Sequence, residues 1–252
     1  MSRGHALVTG GARRVGRAIA LELARAGLDV TITFDRSASD AKATAEAISA
    51  RGVRGESIAF TLDDPKRVHE ACVDLAAQWE HGRGLDVLVH NASVYGPMAV
   101  GAMDAGDAER VMRVNAISPL VMTAAFAGLL SRSKLEGGGS VVAMADIHAM
   151  GRPRRDHAAY SMSKAALVEM VRSLARDLAP KVRVNAVAPG VVAWPERGAE
   201  SDRAMQEAYL SRVPLGRAGT VEDAAEVVRW LALEARYITG EIVRVDGGRW
   251  LA

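Results

Sequence analysis

Short apolar runs alternate with longer amphipathic stretches along this chain, and that alternation constrains the fold more than any other feature. Seven runs have the length and apolarity of buried strands, at residues 5–9, 29–34, 56–61, 85–90, 140–145, 182–187 and 242–245. Six stretches have the helical period, at residues 15–26, 39–51, 65–80, 105–131, 157–178 and 221–233. Strands joined by helices form parallel sheets through right-handed crossovers. We therefore predict an α/β fold over residues 1–252, a single Rossmann-type doubly wound parallel sheet of about seven strands with helices on both faces.

Charge, cysteine content and the lengths of the apolar runs argue against several classes of protein. The chain carries 32 Lys and Arg against 30 Asp and Glu, and its net charge of +2 is too near zero for a nucleic-acid binder. The single cysteine, Cys72, allows neither an intrachain disulfide nor a multi-cysteine metal site, and we predict no metal. We find no signal-peptide core and no apolar run near the roughly 18 residues that span a bilayer. We expect a cytoplasmic protein with a small-molecule substrate and no nucleic-acid or membrane partner.

Doubly wound sheets bind their ligands beyond the carboxyl ends of the strands, so the residues after each strand are the first candidates. A glycine-rich turn follows the first strand and leads into a helix, and its candidate contacts are Gly10, Arg13, Arg14, Val15 and Gly16. Backbone N–H groups and the positive end of a helix meet a diphosphate at such a junction. Glycines alone also fit an ordinary tight turn, but their position after the first strand favours a dinucleotide site.

The end of the second strand carries residues that discriminate between the two nicotinamide dinucleotides. Asp35 favours a free ribose 2′-hydroxyl, whereas Arg36 favours a 2′-phosphate, so the local signals conflict. We expect Arg14 to reach the same region and to form, with Arg36 and the Ser37 hydroxyl, a cationic cradle for a 2′-phosphate. The sequence therefore favours NADPH/NADP+ over NAD.

Further polar residues follow the third and fourth strands. Asp63 and Asp64 follow the third, and Asp63 is placed to accept a hydrogen bond from the adenine amino group. Asn91, Ala92 and Ser93 follow the fourth strand, where they either tie loops together or face the cofactor. The sequence does not separate these two interpretations.

Tyr160 and Lys164 lie four residues apart near the start of a predicted helix and project from the same face. A cation beside a phenol stabilises the phenolate, so such a tyrosine can act as a general acid or base. The pair alone is also typical of an exposed helical surface. Its place after the fifth strand favours a catalytic role.

Together with further motifs, these residues resemble the pattern of a known family. The chain resembles the short-chain dehydrogenase/reductase family over nearly its full length, through TGGARRVG (9–16), HNAS (90–93), VNAISP (114–119), YSMSK (160–164), RVNAVAPG (183–190) and YITGEIVRVDGG (237–248). The resemblance implies NAD(P)-dependent hydride transfer with Tyr160 as proton donor. It implies that Lys164 holds the nicotinamide ribose and lowers the tyrosine pKa, that Asn115 anchors a water, and that Pro189 and Gly190 contact the cofactor.

Two departures from the family pattern point to one branch of it. Arg14 stands where the glycine loop usually has a small residue, and Asp146 replaces the catalytic serine after the fifth strand. Both features, with DIHAMGRP (146–153), resemble the pteridine reductase branch. The spacing from Asp146 to Tyr160 is one residue longer than this branch predicts, and Gly151 is the candidate for the added residue. The resemblance also implies a substrate site, formed by Arg14, Ser93, Tyr95, Asp146, Tyr160 and Trp194.

The aspartate fits one chemistry better than another. Reduction of a ketone builds negative charge on oxygen, which an adjacent carboxylate opposes. Reduction of a protonated C=N bond discharges a cation, which a carboxylate stabilises beforehand. An aspartate that merely caps a loop is the alternative explanation.

We therefore predict an NADPH-dependent pteridine reductase that acts on dihydropterins, with dihydrofolate as a further candidate. A reductase of ketones or 3-oxoacyl thioesters is the alternative within the family. A catalytically silent NADP-binding sensor is the alternative from another class, and the intact Asn115, Tyr160 and Lys164 argue against it.

Three further features are left open by this assignment. The family resemblance predicts a homotetramer whose interface is formed by helices 105–131 and 157–178, and Leu167, Val171, Leu174 and Leu178 form an apolar stripe on the second. That stripe would also serve simply to cover the sheet. The irregular stretch 190–214 is a candidate lid. Arg152, Arg154 and Arg155 form a basic loop that is either solvated or in contact with an acidic substrate tail.

Overall fold

Seven parallel strands form one sheet in a computed structural model that describes residues 4–195 and 201–252. The strands are β1 His5–Val8, β2 Asp29–Phe34, β3 Gly55–Ala59, β4 Val87–His90, β5 Gly139–Met144, β6 Val182–Pro189 and β7 Ile242–Val245. Their order is β3-β2-β1-β4-β5-β6-β7, and every neighbouring pair is parallel. The winding direction reverses between β1 and β4, so the ligand crevice of a doubly wound sheet lies there. The predicted fold class is confirmed.

Helices connect the strands, and most lie where the periodicity predicted them. They are α1 Arg14–Arg25, α2 Ala38–Ser49, α3 Pro65–Glu80, α4 Ala105–Met112, α5 Ser118–Leu130, α6 Ala158–Asp177, α7 Arg203–Leu210 and α8 Val221–Leu233. The predicted helix 105–131 is interrupted by one π-helical turn, Arg113–Ile117. Helix α7 was not predicted, because it lies in the stretch 190–214 that we read as irregular. Residues 196–200 of that candidate lid lie outside the described residues.

Alternate residues of the strands supply two cores, one on each face of the sheet. In β1, Ala6 and Val8 belong to the core under α1, α2 and α8, while Leu7 belongs to the core under α3, α5 and α6. Both faces are therefore covered, which explains why the strands are apolar without alternation.

The apolar stripe of α6 covers the sheet, as the alternative interpretation proposed. Leu167 and Val171 are buried in the core of their own chain, so the stripe does not support the predicted subunit interface. Exposed apolar side chains on the adjoining surface are Ile117, Leu120 and Met162 instead.

The continuous helical run Ala105–Leu130 is long and apolar enough to cross a membrane, by length and composition only. More than half of its most apolar window is buried within the domain. Phe126, for example, is completely buried and stacks against Trp79 of α3 with ring centroids 5.5 Å apart. The apolarity of this run is that of a core helix.

Candidate active site

The glycine turn lies at the switch point of the sheet, between β1 and α1. Gly10 has a φ of +63°, which glycine adopts without strain. A Cβ atom at Gly16 would lie 2.2 Å from the carbonyl oxygen of Gly10, so only glycine fits there. The glycines therefore let the start of α1 lie very close to the end of β1. No side chain then blocks the backbone N–H groups at the start of the helix, to which a phosphate group can bind.

Asn91 holds this turn in place. Its Nδ2 donates to the carbonyl oxygens of Thr9 at 3.0 Å and Gly10 at 3.1 Å. The backbone N–H groups of Asn91 and Ala92 donate to the Thr9 hydroxyl at 3.0 and 3.1 Å. Two roles were left open for these residues, and the hydrogen bonds show that they tie the loops together. Asn91 and Ala92 also line the groove beside the turn.

That groove has a volume of about 500 Å³ and lies between the glycine turn and the end of β2. Its lining includes Arg13, Arg14, Arg36 and Ser37. Asp35 also lines it, and its carboxylate accepts from Arg36 Nε at 3.1 Å. Several guanidinium groups beside a glycine turn fit the phosphates of NADP well.

Arg14 makes a contact that the sequence did not predict. Its Nη2 donates to the carbonyl oxygens of Ala193 and Trp194, each at 3.0 Å. The guanidinium therefore contacts the stretch after β6, and its predicted part in a 2′-phosphate cradle stays a prediction. Arg13 lines the same groove as Arg14 and Arg36.

A second cavity of about 220 Å³ continues past β3 and is where we expect the adenine ring. Asp63 lines it, and its carboxylate contacts Arg110 Nε at 2.9 Å. Asp64 is not part of its lining. The carboxylate of Asp64 instead caps α3 by accepting from the backbone N–H groups of Lys66 and Arg67, and its contact with the cofactor stays a prediction.

The catalytic candidates Asp146 and Tyr160 are in direct contact. Tyr160 Oη donates to Asp146 Oδ2 at 2.8 Å. Asp146 Oδ1 accepts from the backbone N–H of His148 at 2.7 Å, which orients the carboxylate. Gly151 has a φ of +109°, a conformation that suits glycine, and ends the short helix Ile147–Met150. The longer spacing therefore still brings the two side chains together.

The pKa of Tyr160 differs from our expectation. Burial raises it well above the usual value of 10, and the charge and hydrogen bond of Asp146 raise it further. Lys164 Nζ lies 6.0 Å from the centroid of the Tyr160 ring and donates to the carbonyl oxygen of Met144 at 2.7 Å. Burial lowers the pKa of Lys164 to about 8. In this arrangement Tyr160 is a protonated donor, and the predicted lowering of its pKa by Lys164 is not observed.

Asn115 lies in the π-helical turn, and its side chain is fully hydrogen-bonded. Its Oδ1 accepts from the backbone N–H of Val94 at 2.8 Å and from the Ser93 hydroxyl at 3.1 Å. Its Nδ2 donates to the carbonyl oxygen of Val94 at 2.9 Å and to the Ser163 hydroxyl at 3.0 Å. Both N–H donors are used. The amide thus fixes the loop after β4, and its role in anchoring a water stays a prediction.

The candidate substrate side is lined by aromatic rings. Tyr95 meets Tyr160 edge-to-face with ring centroids 4.9 Å apart, and its hydroxyl accepts from Arg154 at 2.7 Å. Trp194 meets Tyr209 of α7 edge-to-face at 5.6 Å. Sequence reasoning missed Tyr209, and no local signal marked it. Pro189 ends β6, and Gly190 N donates to the carbonyl oxygen of Val245, which places both at the carboxyl edge of the sheet.

The described residues contain no group of three or more His, Cys, Asp or Glu side chains placed to hold a metal ion.

Comparisons with known proteins extend over nearly the whole chain. A family model described as Enoyl-(Acyl carrier protein) reductase matches residues 10–249. The 3-oxoacyl-[acyl-carrier-protein] reductase of Aquifex aeolicus is 35% identical over 245 residues, which cover 96% of this chain and 95% of that protein.

Solved structures give the same result. A short chain dehydrogenase from Burkholderia cenocepacia in complex with NADP has a TM-score of 0.87 and 34% identity, with 98% of each chain covered. A blue fluorescent protein from a metagenomic library in complex with NADPH has a TM-score of 0.87 and 32% identity, again with 98% of each chain covered.

Proposed function

The chain belongs to the short-chain dehydrogenase/reductase family, and from that premise we propose that it reduces a C=N bond in the pterin ring of dihydropterins with NADPH. One observation carries this choice of substrate. The hydroxyl of Tyr160 bonds to a carboxylate, Asp146, at the position where the family usually has serine. The dihydropterin would become a tetrahydropterin.

NADPH is the cofactor that fits the groove. Arg13, Arg36 and Ser37 would hold the 2′-phosphate, the glycine turn would hold the diphosphate, and Asp63 would face the adenine. When bound, NADPH supplies the hydride. The structural relatives in complex with NADP and NADPH support this choice.

The protein groups then have to deliver one proton. The C=N nitrogen takes this single proton from the Tyr160 hydroxyl before or as the hydride adds to the neighbouring carbon, so the product amine is neutral. Asp146, as a carboxylate, would stabilise the positive charge of the protonated C=N bond, and it would relay a proton from water to restore the Tyr160 hydroxyl. The same carboxylate would oppose the negative charge that develops on a ketone oxygen. Tyr95, whose ring lies 4.9 Å from that of Tyr160, would stack on the flat pterin ring.

A 3-oxoacyl reductase is the second candidate, and the similarity to proteins named 3-oxoacyl-[acyl-carrier-protein] reductase favours it. Its chemistry would use Tyr160 as the donor to a carbonyl oxygen. Asp146 argues against it, because a carboxylate supplies no hydrogen bond to an oxyanion unless it is protonated.

A substrate panel separates the candidates. NADPH oxidation is followed by its absorbance with dihydrobiopterin, dihydrofolate, a 3-oxoacyl thioester and a simple ketone. Turnover of the dihydropterins with kcat/KM well above that of the carbonyl compounds is expected. Turnover of carbonyl compounds alone would refute the pterin proposal, and no turnover of any substrate would favour a silent NADP-binding sensor.

A further inference from the structure

The cavity past β3 has an ion pair in its wall that joins two distant parts of the chain. Asp63 follows β3, whereas Arg110 belongs to α4, and both residues line this cavity of about 220 Å³. Arg110 Nε lies 2.9 Å from Asp63 Oδ1. The cavity also borders Gly10 and therefore continues the groove beside the glycine turn. Arg110 thus lies where the base of the dinucleotide is expected.

The Asp63 carboxylate keeps most of its capacity to accept hydrogen bonds. Oδ1 is buried and contacts Arg110, but it accepts no hydrogen bond from the residues that the structure describes. Oδ2 accepts from the Thr61 hydroxyl at 3.4 Å, which is long for a hydrogen bond between oxygens. An ionised carboxylate has about four lone-pair sites. The carboxylate can therefore accept from a ligand in the cavity.

The ion pair restricts where this carboxylate can lie. The Asp63 side chain is 43% exposed and that of Arg110 is 38% exposed, so burial alone does not fix either rotamer. Ion pairs at such exposure add little to stability. They can still favour one staggered rotamer over the others. The contact with α4 is therefore better suited to orienting the acid than to stabilising the fold.

The rest of the cavity suits a flat neutral ring. Its lining includes the side chains of Phe34 and Phe60, which lie at or just after the ends of β2 and β3. Asp35, the other acid of the lining, is paired with Arg36 at 3.1 Å. Each acid in the wall thus has an arginine partner. Apolar surface with a few oriented polar groups is typical of a ligand pocket.

The two members of the ion pair would select different bases. A carboxylate accepts hydrogen bonds, whereas a guanidinium only donates them. The 6-amino group of adenine is a donor, and a 6-oxo group in the same place is an acceptor. Because Arg110 Nε contacts Oδ1 while Oδ2 has only the long bond to Thr61, the carboxylate is the group left for the base.

We propose that Arg110 is a positioning residue for base recognition. It holds the Asp63 carboxylate so that the site selects a dinucleotide with a 6-amino purine over one with a 6-oxo purine. This inference rests on the placement of NADPH in the proposed function, and it goes further by naming the residue that makes base recognition selective.

Binding without turnover tests the inference. NADP+ and deamino-NADP+, in which a 6-oxo group replaces the adenine amino group, are titrated into the enzyme by calorimetry. We expect the wild type to bind NADP+ about tenfold or more tightly, the effect of one hydrogen bond to a charged group. Arg110→Gln should lower this ratio of Kd values by about threefold or more, because a carboxylate that is not held in place loses rotamer freedom on binding.

Arg67→Gln is the matched control. Arg67 Nε pairs with the neighbouring acid Asp64 at 3.5 Å, but neither residue belongs to the lining of the cavity. Its loss should leave the ratio unchanged. Circular dichroism checks the fold of each variant. Arg110→Met, a second variant without the charge, should give the same result as Arg110→Gln and decides the matter if that variant does not fold.

A double-mutant cycle shows whether Arg110 acts through Asp63. Asp63→Asn should itself lower the ratio, and Arg110→Gln should then have no further effect on it. Equal lowering by Arg110→Gln in both backgrounds would mean that Arg110 reads the base directly, and the inference would fail.

Two further results would overturn the inference. One is an equal Kd for the two dinucleotides in the wild type, or tighter binding of deamino-NADP+, since Asp63 would then not read the base. The other is a ratio that neither Arg110→Gln nor Arg110→Met changes. None of these titrations uses a pterin, so they give the same answer whether or not dihydropterins are reduced. The outcome for Arg110 is therefore separate from the outcome for the proposed substrate.

Discussion

At the residue scale, the proposed substrate class rests on the hydrogen bond between Tyr160 and Asp146. Asp146→Ser retains an oxygen that can accept from the His148 N–H, so the loop should keep its fold. We expect kcat for dihydrobiopterin to fall by about 10²-fold with little change in the KM for NADPH. Turnover of simple ketones should rise, because a serine hydroxyl donates to a developing oxyanion. Steady-state kinetics across pH measure both effects; unchanged pterin turnover at every pH would show that the carboxylate is structural.

The Tyr160→Phe variant gives the complementary result. Removing the only proton donor of a reaction typically costs about 10²–10⁴-fold in rate. Carbonyl substrates should lose that much, whereas pterin turnover should be partly retained through Asp146 and water. Equal losses for both substrate types would show that Asp146 does not deliver protons by itself.

Lys164 makes stability depend on pH. Burial lowers its pKa from 10.5 to about 8, so between these values the unfolded chain binds a proton that the folded chain lacks. Stability should therefore rise with pH across this window, by up to about 3 kcal/mol. Urea unfolding of wild type and Lys164→Met at pH values from 8 to 10.5 measures it, since the variant should lack this contribution. Parallel curves for the two proteins would contradict the prediction.

Arg36 should set the cofactor preference. Arg36→Ala removes a cation from the groove beside β2, and we expect the KM for NADPH to rise about tenfold or more while that for NADH changes little. Asp35→Ala is the matched control. It removes the carboxylate that accepts from Arg36 but leaves the cation in place, so it should not shift the preference toward NADH. Equal effects of Arg36→Ala on both cofactors would show that Asp35 governs the site.

At the element scale, the π-helical turn Arg113–Ile117 connects the helix packing to the site. π-helical turns often occur at functional sites, and this one carries Asn115, whose amide makes four hydrogen bonds to the loop after β4 and to α6. Asn115→Ala removes the hydrogen-bond partner of the partly buried backbone groups of Val94 and should lower the free energy of unfolding by about 2–4 kcal/mol. Ser93→Ala removes only one of these bonds and should cost about 1 kcal/mol or less. Urea unfolding compares the two, and similar losses would mean that the amide network contributes little.

The elements themselves were largely predictable, and the exceptions have physical reasons. Continuous apolar runs marked the strands because both faces of the sheet are buried. The π-helical turn left no signal, because one extra residue per turn hardly disturbs an apolar pattern. The cap of α3 had a signal that we did not use, since Asp64 precedes Pro65, a typical pair at a helix start.

At the scale of the whole molecule, we predict assembly into a homotetramer. Ile117, Leu120 and Met162 are exposed apolar side chains at the start of α5 and on α6. Such a surface is a candidate subunit interface. Light scattering should give a mass four times that of the 26.7 kDa chain. Leu120→Glu should lower this mass, whereas Val73→Glu, at an exposed apolar position on α3, should not. A monomer at micromolar concentration would refute the prediction.

The candidate site was predictable where residues close in sequence or in a family motif define it, as for Tyr160, Lys164 and Asp146. It was not predictable where side chains choose between distant partners. Arg14 bonds to carbonyl groups 179 and 180 residues away, and Arg249 lies on Tyr209. Such contacts depend on how loops at the edge of the sheet are arranged, which periodicity does not encode.

The contact of Arg14 with Ala193 and Trp194 would couple the affinity for the cofactor to the affinity for the substrate. Arg14 lines the groove beside the glycine turn, and its guanidinium bonds to two carbonyl groups of the stretch that carries Trp194, a proposed substrate residue. Whatever a bound dinucleotide does to the position of that stretch changes the substrate's Kd by some factor. Thermodynamic linkage then requires a bound substrate to change the dinucleotide's Kd by the same factor.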